Sequence, residues 1–187
     1  MPQGFIPPHG GYRKLLSYQR AEIVYDATVR FCARYYNRRD RTVDQMVQAA
    51  RSGKQNIIEA SLASGTSKET EIKLTNVARA SLEELLEDYR DFLRIRGLEE
   101  WDRNHRYARR LAELVRTPGA SYETLRKAVE HPEPAVAANA ILGLIKVTTY
   151  LLDRQLRQLE QAFLEEGGLR ERMTRARLNH RGRHPVQ

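Results

Sequence analysis

The sequence predicts an all-α protein, an antiparallel up-down four-helix bundle, and three observations carry that prediction. Apolar residues recur at steps of three and four over several long stretches, which gathers them into stripes on helices. Ala, Leu, Glu and Arg abound while runs of Val or Ile are few. The clearest turn signals, Ser64-Gly65-Thr66-Ser67, Gly97, Thr117-Pro118-Gly119, His131-Pro132-Glu133-Pro134 and Gly167-Gly168, fall between the periodic stretches. At 187 residues the chain suits one domain with a real core. The partition expected is a flexible N-terminal arm over 1–11, a bundle over 12–166 with a helical hairpin inserted at 98–133, and a basic C-terminal suffix over 167–187.

The arm, MPQGFIPPHGG, is too rich in Pro and Gly to continue a helix. A first helix is predicted from about Arg13 to Asn37, with Leu15, Tyr18, Ala21, Val24, Thr28, Phe31 and Tyr35 on its buried face. The second starts near Thr42, capped by Thr42 or Asp40, and carries Val43, Met46, Val47, Ala50, Ile57 and Ser61. Gly53 in its middle costs roughly 1 kcal/mol relative to alanine, so either a neighbouring backbone comes close there or the helix bends. After the 64–67 hinge, Ser67 with Thr70 and Glu71 reads as a helix start, without the Glu or Gln that a strict capping box requires.

The third helix, about Lys68 to Arg96, places Leu74, Ala78, Ser81, Leu85, Tyr89 and Phe92 on one face. Glu83, Glu84, Glu87, Asp88 and Arg90 lie on the other, and Gly97 stops it. Two shorter units follow, Glu99 to Arg116 with Trp101, Tyr107, Leu111 and Leu114 as its apolar residues, and Ser121 to Glu130 with Tyr122, Leu125 and Val129. The prolines at 132 and 134 reset the direction. The last long helix, about Ala135 to Glu166, has the most regular stripe: Ala138, Ile141, Ile145, Thr148, Leu152, Leu156, Leu159 and Phe163. Gly167-Gly168 ends it, and the tail beyond reads as solvated.

The net charge of +8 and a pI near 9.8 point to a polyanionic partner, and Arg outnumbers Lys 26 to 6. Three clusters hold the charge: Arg30, Arg34, Arg38, Arg39 and Arg41, with Tyr35 and Tyr36 as rings for stacking; Arg103, Arg106, Arg109 and Arg110 in the insertion; and Arg172, Arg175, Arg177, Arg181 and Arg183 in the tail. Each cluster alone is more often a solvated face than a ligand surface. The three together favour binding of RNA or DNA through backbone charge rather than base readout.

Catalytic chemistry has little foothold. The lone Cys32 sits at an apolar position and reads as core, which excludes an internal disulfide and favours a reducing compartment. Five histidines are scattered, and the one i, i+4 pair, His180 and His184, lies beside Gly182 and Pro185, so no metal site is expected. No phosphate-cradling Gly loop and no Ser-His or Cys-His grouping occurs. No cofactor is expected. The N-terminus has no apolar signal core and no uninterrupted apolar run comes near ~18 residues, so a cytoplasmic protein without a membrane span is expected.

The residues Gln45, Ala49-Ala50, Ser52, Asn56-Ile57 and Glu59, then Ser67 and Glu69, then Ala80-Ser81-Leu82 and Glu84-Leu85, resemble a known bacterial family. It comprises the four-helix-bundle proteins encoded within intervening sequences of large-subunit ribosomal RNA genes, whose fold also serves the accessory variability determinant of diversity-generating retroelements. RSGKQNIIEA, SKETEIKLTNVARASLEELLEDYRDFLR and TTYLLDRQLRQLEQAFLEEGGLRERM are similar to the longer branch, the four helix bundle suffix proteins. The resemblance covers about Gly11 to Arg96 and Ala138 to Leu178. It implies a homopentameric barrel with a basic surface and, by way of the retroelement relative, binding to nucleic acid and a reverse transcriptase.

The chain differs from the short branch at Val47-Gln48, where an Arg pair is common, at Lys54 for Pro, and at Ala60 for Gly. No activity follows from the resemblance. Asn56, Glu59, Ser67 and Glu69 are the residues that match the motif; hydrogen bonding of the adjacent hinge or helix ends is the expected role of Asn56 and Glu59, with contact to a ligand or partner as the alternative. The alternative function is a protein-interaction scaffold or accessory subunit for a reverse transcriptase or other neighbouring enzyme. Leu16, Ile58, Leu62 and Leu151 are candidates for sealing contacts between subunits.

Overall fold

The computed structural model describes residues 6–37, 39–117 and 119–183, with side chains through 181. All regular structure among them is helical. A 3-10 turn at Tyr12–Lys14 precedes α1 (Leu16–Tyr35), α2 (Arg41–Ala63), α3 (Lys68–Ile95), α4 (Arg106–Arg116), α5 (Tyr122–Val129), α6 (Pro134–Glu166) and α7 (Leu169–Arg183). The four long helices α1, α2, α3 and α6 occupy the predicted stretches. Helix α2 packs against α1 and α3, and α6 packs against α3 and α1; α4 and α5 lie on α6, and α5 also reaches α1.

The stripes read from periodicity face this core. Tyr18, Ala21, Val24, Thr28 and Phe31 of α1 are buried, as are Ala138, Ile141, Ile145, Thr148 and Leu152 of α6. The helical run beginning at Pro134 also contains a window long and apolar enough to cross a bilayer, which sequence reading had not recognised because Asn139 and Lys146 interrupt it. That window is 61% buried within the fold, as suits a core helix. Gly53 resolves in favour of close approach: a Cβ there would lie 2.7 Å from Leu82 Cγ, so its absence lets α3 come close to an unbroken α2.

Helix ends follow the capping chemistry. Asp40 caps α2 by accepting from the Thr42 amide at 2.9 Å, settling the choice between Asp40 and Thr42. Gly97, at φ +65°, closes α3 in a Schellman turn, with Leu98 N donating to Leu93 O at 2.9 Å and Gly97 N to Arg94 O at 3.1 Å. Ser67 Oγ accepts from the Thr70 amide at 3.1 Å and so starts α3. Replacing Ser67 with alanine is expected to cost ~1 kcal/mol of folding free energy. A urea midpoint that does not move would show that the α2–α3 turn is held by other contacts.

Three segments differ from expectation. The first insertion helix begins at Arg106 rather than Glu99, because Asn139 of α6 holds the preceding strand of chain in another conformation. Its Oδ1 accepts from Trp101 N at 2.7 Å and its Nδ2 donates to Glu99 O at 2.9 Å. Asp102 then accepts from the Asn104 and His105 amides, forming a turn ahead of α4. The tail, read as a solvated suffix with no helix assigned to it, is helix α7: Gly167 at φ +71° ends α6, and Glu171 accepts from Gly168 N at 2.9 Å, starting a new helix. The described part of the arm rests on the end of α2, with Gly10 N donating to Ser61 O at 3.0 Å and His9 close over Gly65.

Candidate nucleic-acid interface

In the first basic cluster Arg30, Arg34, Arg39 and Arg41 are all exposed, and the first two also meet the end of α5. Arg34 donates to the Glu130 carbonyl at the end of α5, and Arg30 lies 3.6 Å from the Glu130 carboxylate. Hydrogen bonding from Tyr122, then the charges of Arg30, Arg126 and Arg34, holds that carboxyl below its usual range despite some burial. The rings expected as stacking platforms are engaged as well. Tyr35 packs 4.8 Å from Phe31 and donates to the His131 carbonyl, while Tyr36 is covered by the Arg96 guanidinium at 5.3 Å. Arg39 and Arg41 are exposed, with no side-chain partner among the described residues. Arg38 lies outside those residues.

In the second cluster, Arg103, Arg109 and Arg110 are exposed and form no ion pair or side-chain hydrogen bond among the described residues, and the same holds for Arg116. Glu113 is the one carboxylate in α4 against four arginines, so the helix keeps a net charge of +3. The helix presents these cations because Leu111 and Val115 bury its opposite side against the core. Arg106 lies over the Tyr107 ring at 4.5 Å and donates to its hydroxyl.

Beside them stands an aromatic group that periodicity had assigned to helix packing. Trp101, kept out of α4 by Asn139, stacks on His105 at 4.6 Å and 18°, with Tyr107 5.5 Å from both rings. Tyr107 is 44% exposed and Trp101 half-buried. His105 Nδ1 is buried without a hydrogen-bond partner among the described residues. Sequence reading named Trp101 and Tyr107 without assigning them to a site. The available signal was their position among Arg103, Arg106, Arg109 and Arg110.

In the third cluster, Arg172 donates to Gly65 O at 3.3 Å and Arg175 to Glu166 O, both joining α7 to the end of the core. Arg177 and Arg181 are exposed. The Arg183 side chain and His184 lie outside the described residues, as does the geometry of a His180–His184 pair. The three clusters therefore divide into one in which Arg30 and Arg34 meet the end of α5 while Arg39 and Arg41 stay exposed, one open, and one partly used to dock α7.

The motif residues have distinct surroundings. Asn56 donates to Ser52 O at 2.9 Å and to Ser52 Oγ, which lies 2.9 Å from Ser81 Oγ, so Asn56 supports a polar link between the middles of α2 and α3 rather than the hinge. Glu59 is exposed and has no side-chain partner among the described residues, so it too makes no hinge contact. Glu69 accepts from Ser67 Oγ at 3.3 Å. Burial pushes the Cys32 thiol up to about 12, which keeps it protonated beside Met46. Glu87 pairs with Arg90, and no group of three or more potential metal-ligating side chains occurs among the described residues. The chain matches no known family model, no curated protein and no solved structure.

Proposed function

We propose that the protein is a non-enzymatic, oligomeric nucleic-acid-binding protein that holds RNA or DNA by its backbone charge. The observation that carries this reading is the row of exposed, unpaired arginines on and beside α4, because guanidinium groups without internal partners are available to phosphates and displace their counterions. Binding to a labelled oligonucleotide is expected to weaken linearly as log affinity against log salt. Replacing both Arg109 and Arg110 with glutamine should flatten that slope by about 1.4–1.8, which is two phosphate contacts' worth. Absence of binding at low salt, or affinity indifferent to salt, would overturn the proposal.

In the same proposal α1, α2, α3 and α6 form an antiparallel up-down four-helix bundle with 98–133 as its inserted hairpin. The pairing of each long helix with two others supports that arrangement. The assembly is a cytoplasmic homopentameric ring without cofactor, in line with the family the sequence resembles. A ring would repeat the α4 surface fivefold and add avidity. Leu16 and Leu62 are 51% and 53% exposed, which suits contacts between subunits; Ile58 and Leu151 are half-buried.

The same exposed leucines favour the second reading, an accessory subunit or scaffold for a reverse transcriptase or other enzyme. A stoichiometric protein partner that stays bound at salt concentrations stripping nucleic acid would select it.

A further inference from the structure

We propose that the insertion holds a single-strand site, in which an unpaired base stacks at Trp101 while the neighbouring phosphates are held by Arg103, Arg106, Arg109 and Arg110. This rests on the nucleic-acid reading above and adds to it a preference that backbone charge alone does not provide.

The placement of Trp101 is the starting point. A tryptophan in a helical protein ordinarily contributes its large apolar area to the core. Here Asn139 holds the Trp101 backbone outside α4, and the indole instead forms a small stack with His105, beside a Tyr107 that is 44% exposed. Trp101 borders two hollows. One, of about 600 Å3, is walled by Trp101, Tyr107, Leu111, Leu114 and Val136 together with Arg110. The other, of about 410 Å3, lies between Trp101, Arg103, Arg109 and Arg116, with Asp102 and Glu113 also on its wall. Both volumes fall in the range of about 300–1,000 Å3 usual for small-ligand sites.

An apolar and aromatic hollow, edged by arginines unpaired among the described residues that outnumber the carboxylates Asp102, Glu113 and Glu133, matches a ligand with a flat ring and adjacent negative charges. A base on a phosphate backbone has both. In a duplex the ring faces are taken by neighbouring bases, whereas a single strand offers them to aromatic side chains. Charge complementarity therefore brings the strand to α4, and stacking at Trp101 discriminates unpaired from paired bases.

Trp101 is the single tryptophan of the chain, so its fluorescence reports on this site alone. The full-length protein would be titrated with a short single-stranded oligonucleotide, with the same strand carrying abasic residues, and with the corresponding duplex. The base-bearing single strand is expected to quench the fluorescence and to bind more tightly than the abasic strand. Trp101→Ala should weaken single-strand binding by roughly 5- to 150-fold, the span that stacking of one base supplies, and leave duplex and abasic affinities unchanged. Trp101→Phe, which keeps a ring, should retain most of the affinity.

Equal binding of all three ligands with no effect of Trp101→Ala would overturn the single-strand site and leave the charge-based reading standing. Equal loss on all three ligands in Trp101→Ala would also overturn it, because the ring would then only support the insertion. No binding of any ligand at low salt would remove the underlying reading, and this site with it.

Discussion

Replacing Arg20 with leucine is expected to lower folding stability by about 3–5 kcal/mol and to release α4 and α5 before the rest of the chain unfolds. Arg20 is 1% exposed and forms no ion pair with a carboxylate among the described residues. Its Nε donates to Val115 O at 2.9 Å, its Nη1 to Ala120 O at 2.8 Å and its Nη2 to Thr117 O at 3.4 Å. These carbonyls lie at and just beyond the end of α4, where the helix leaves acceptors unpaired and its dipole is negative. The guanidinium thus satisfies the end of α4 from α1.

Hydrogen bonds from a charged donor contribute about 1.5–3 kcal/mol each, and leucine would leave two well-formed ones unmade. Lysine cannot reproduce the fork, so Arg20→Lys should recover only part of the loss. Urea denaturation gives the magnitude, and amide exchange over 106–129 gives the location. Unchanged protection of α4 and α5 in Arg20→Leu would show that the two helices are docked by their apolar contacts alone.

Phe31→Ala is the second large effect, at about 3–5 kcal/mol. The ring is 1% exposed and sits among Phe92 at 4.7 Å, Tyr35 at 4.8 Å and Tyr89 at 4.9 Å, joining α1 to α3. Truncation removes transfer energy and leaves a cavity lined by rings too rigid to collapse into it, and edge-to-face contacts worth about 0.5–1.5 kcal/mol per pair are lost as well. Phe31→Leu, which fills most of the space, should cost far less. A loss below 1 kcal/mol for Phe31→Ala in urea unfolding, with unchanged denaturant dependence, would mean that the cluster repacks freely.

These two positions show what is legible in a sequence. Phe31 belongs to a stripe that repeats every three or four residues, and the pattern alone places it inside. Arg20 sits in the same helix and is equally buried, yet nothing in its neighbourhood marks it. Its partners Val115 and Ala120 lie 95 and 100 positions away. Asn139 is similar: its hydrogen bonds to Glu99 and Trp101 keep the start of the insertion out of α4, and the periodicity of 99–116 carried no trace of that constraint.

The candidate site divides in the same way. Four arginines in α4 are visible in the sequence, and so is the deficit of carboxylates beside them. Which arginines remain unpaired was not visible, since Arg30 and Arg34 meet Glu130 only after α5 folds back on α1. The surroundings of the rings are hidden from the sequence for a related reason. Tyr35 and Tyr36 lie next to arginines in sequence but pack among Phe31, Phe92 and Arg96, while Trp101 is left in the half-buried stack with His105.

By itself the sequence determined the helical class, the extent of the four long helices, their buried faces and most of their ends, because periodicity and capping are properties of residues a few positions apart. Only the tertiary structure decided where α4 begins and which cations and rings remain available. Those outcomes depend on which polar groups are left unpaired when distant segments meet, and no local pattern records that.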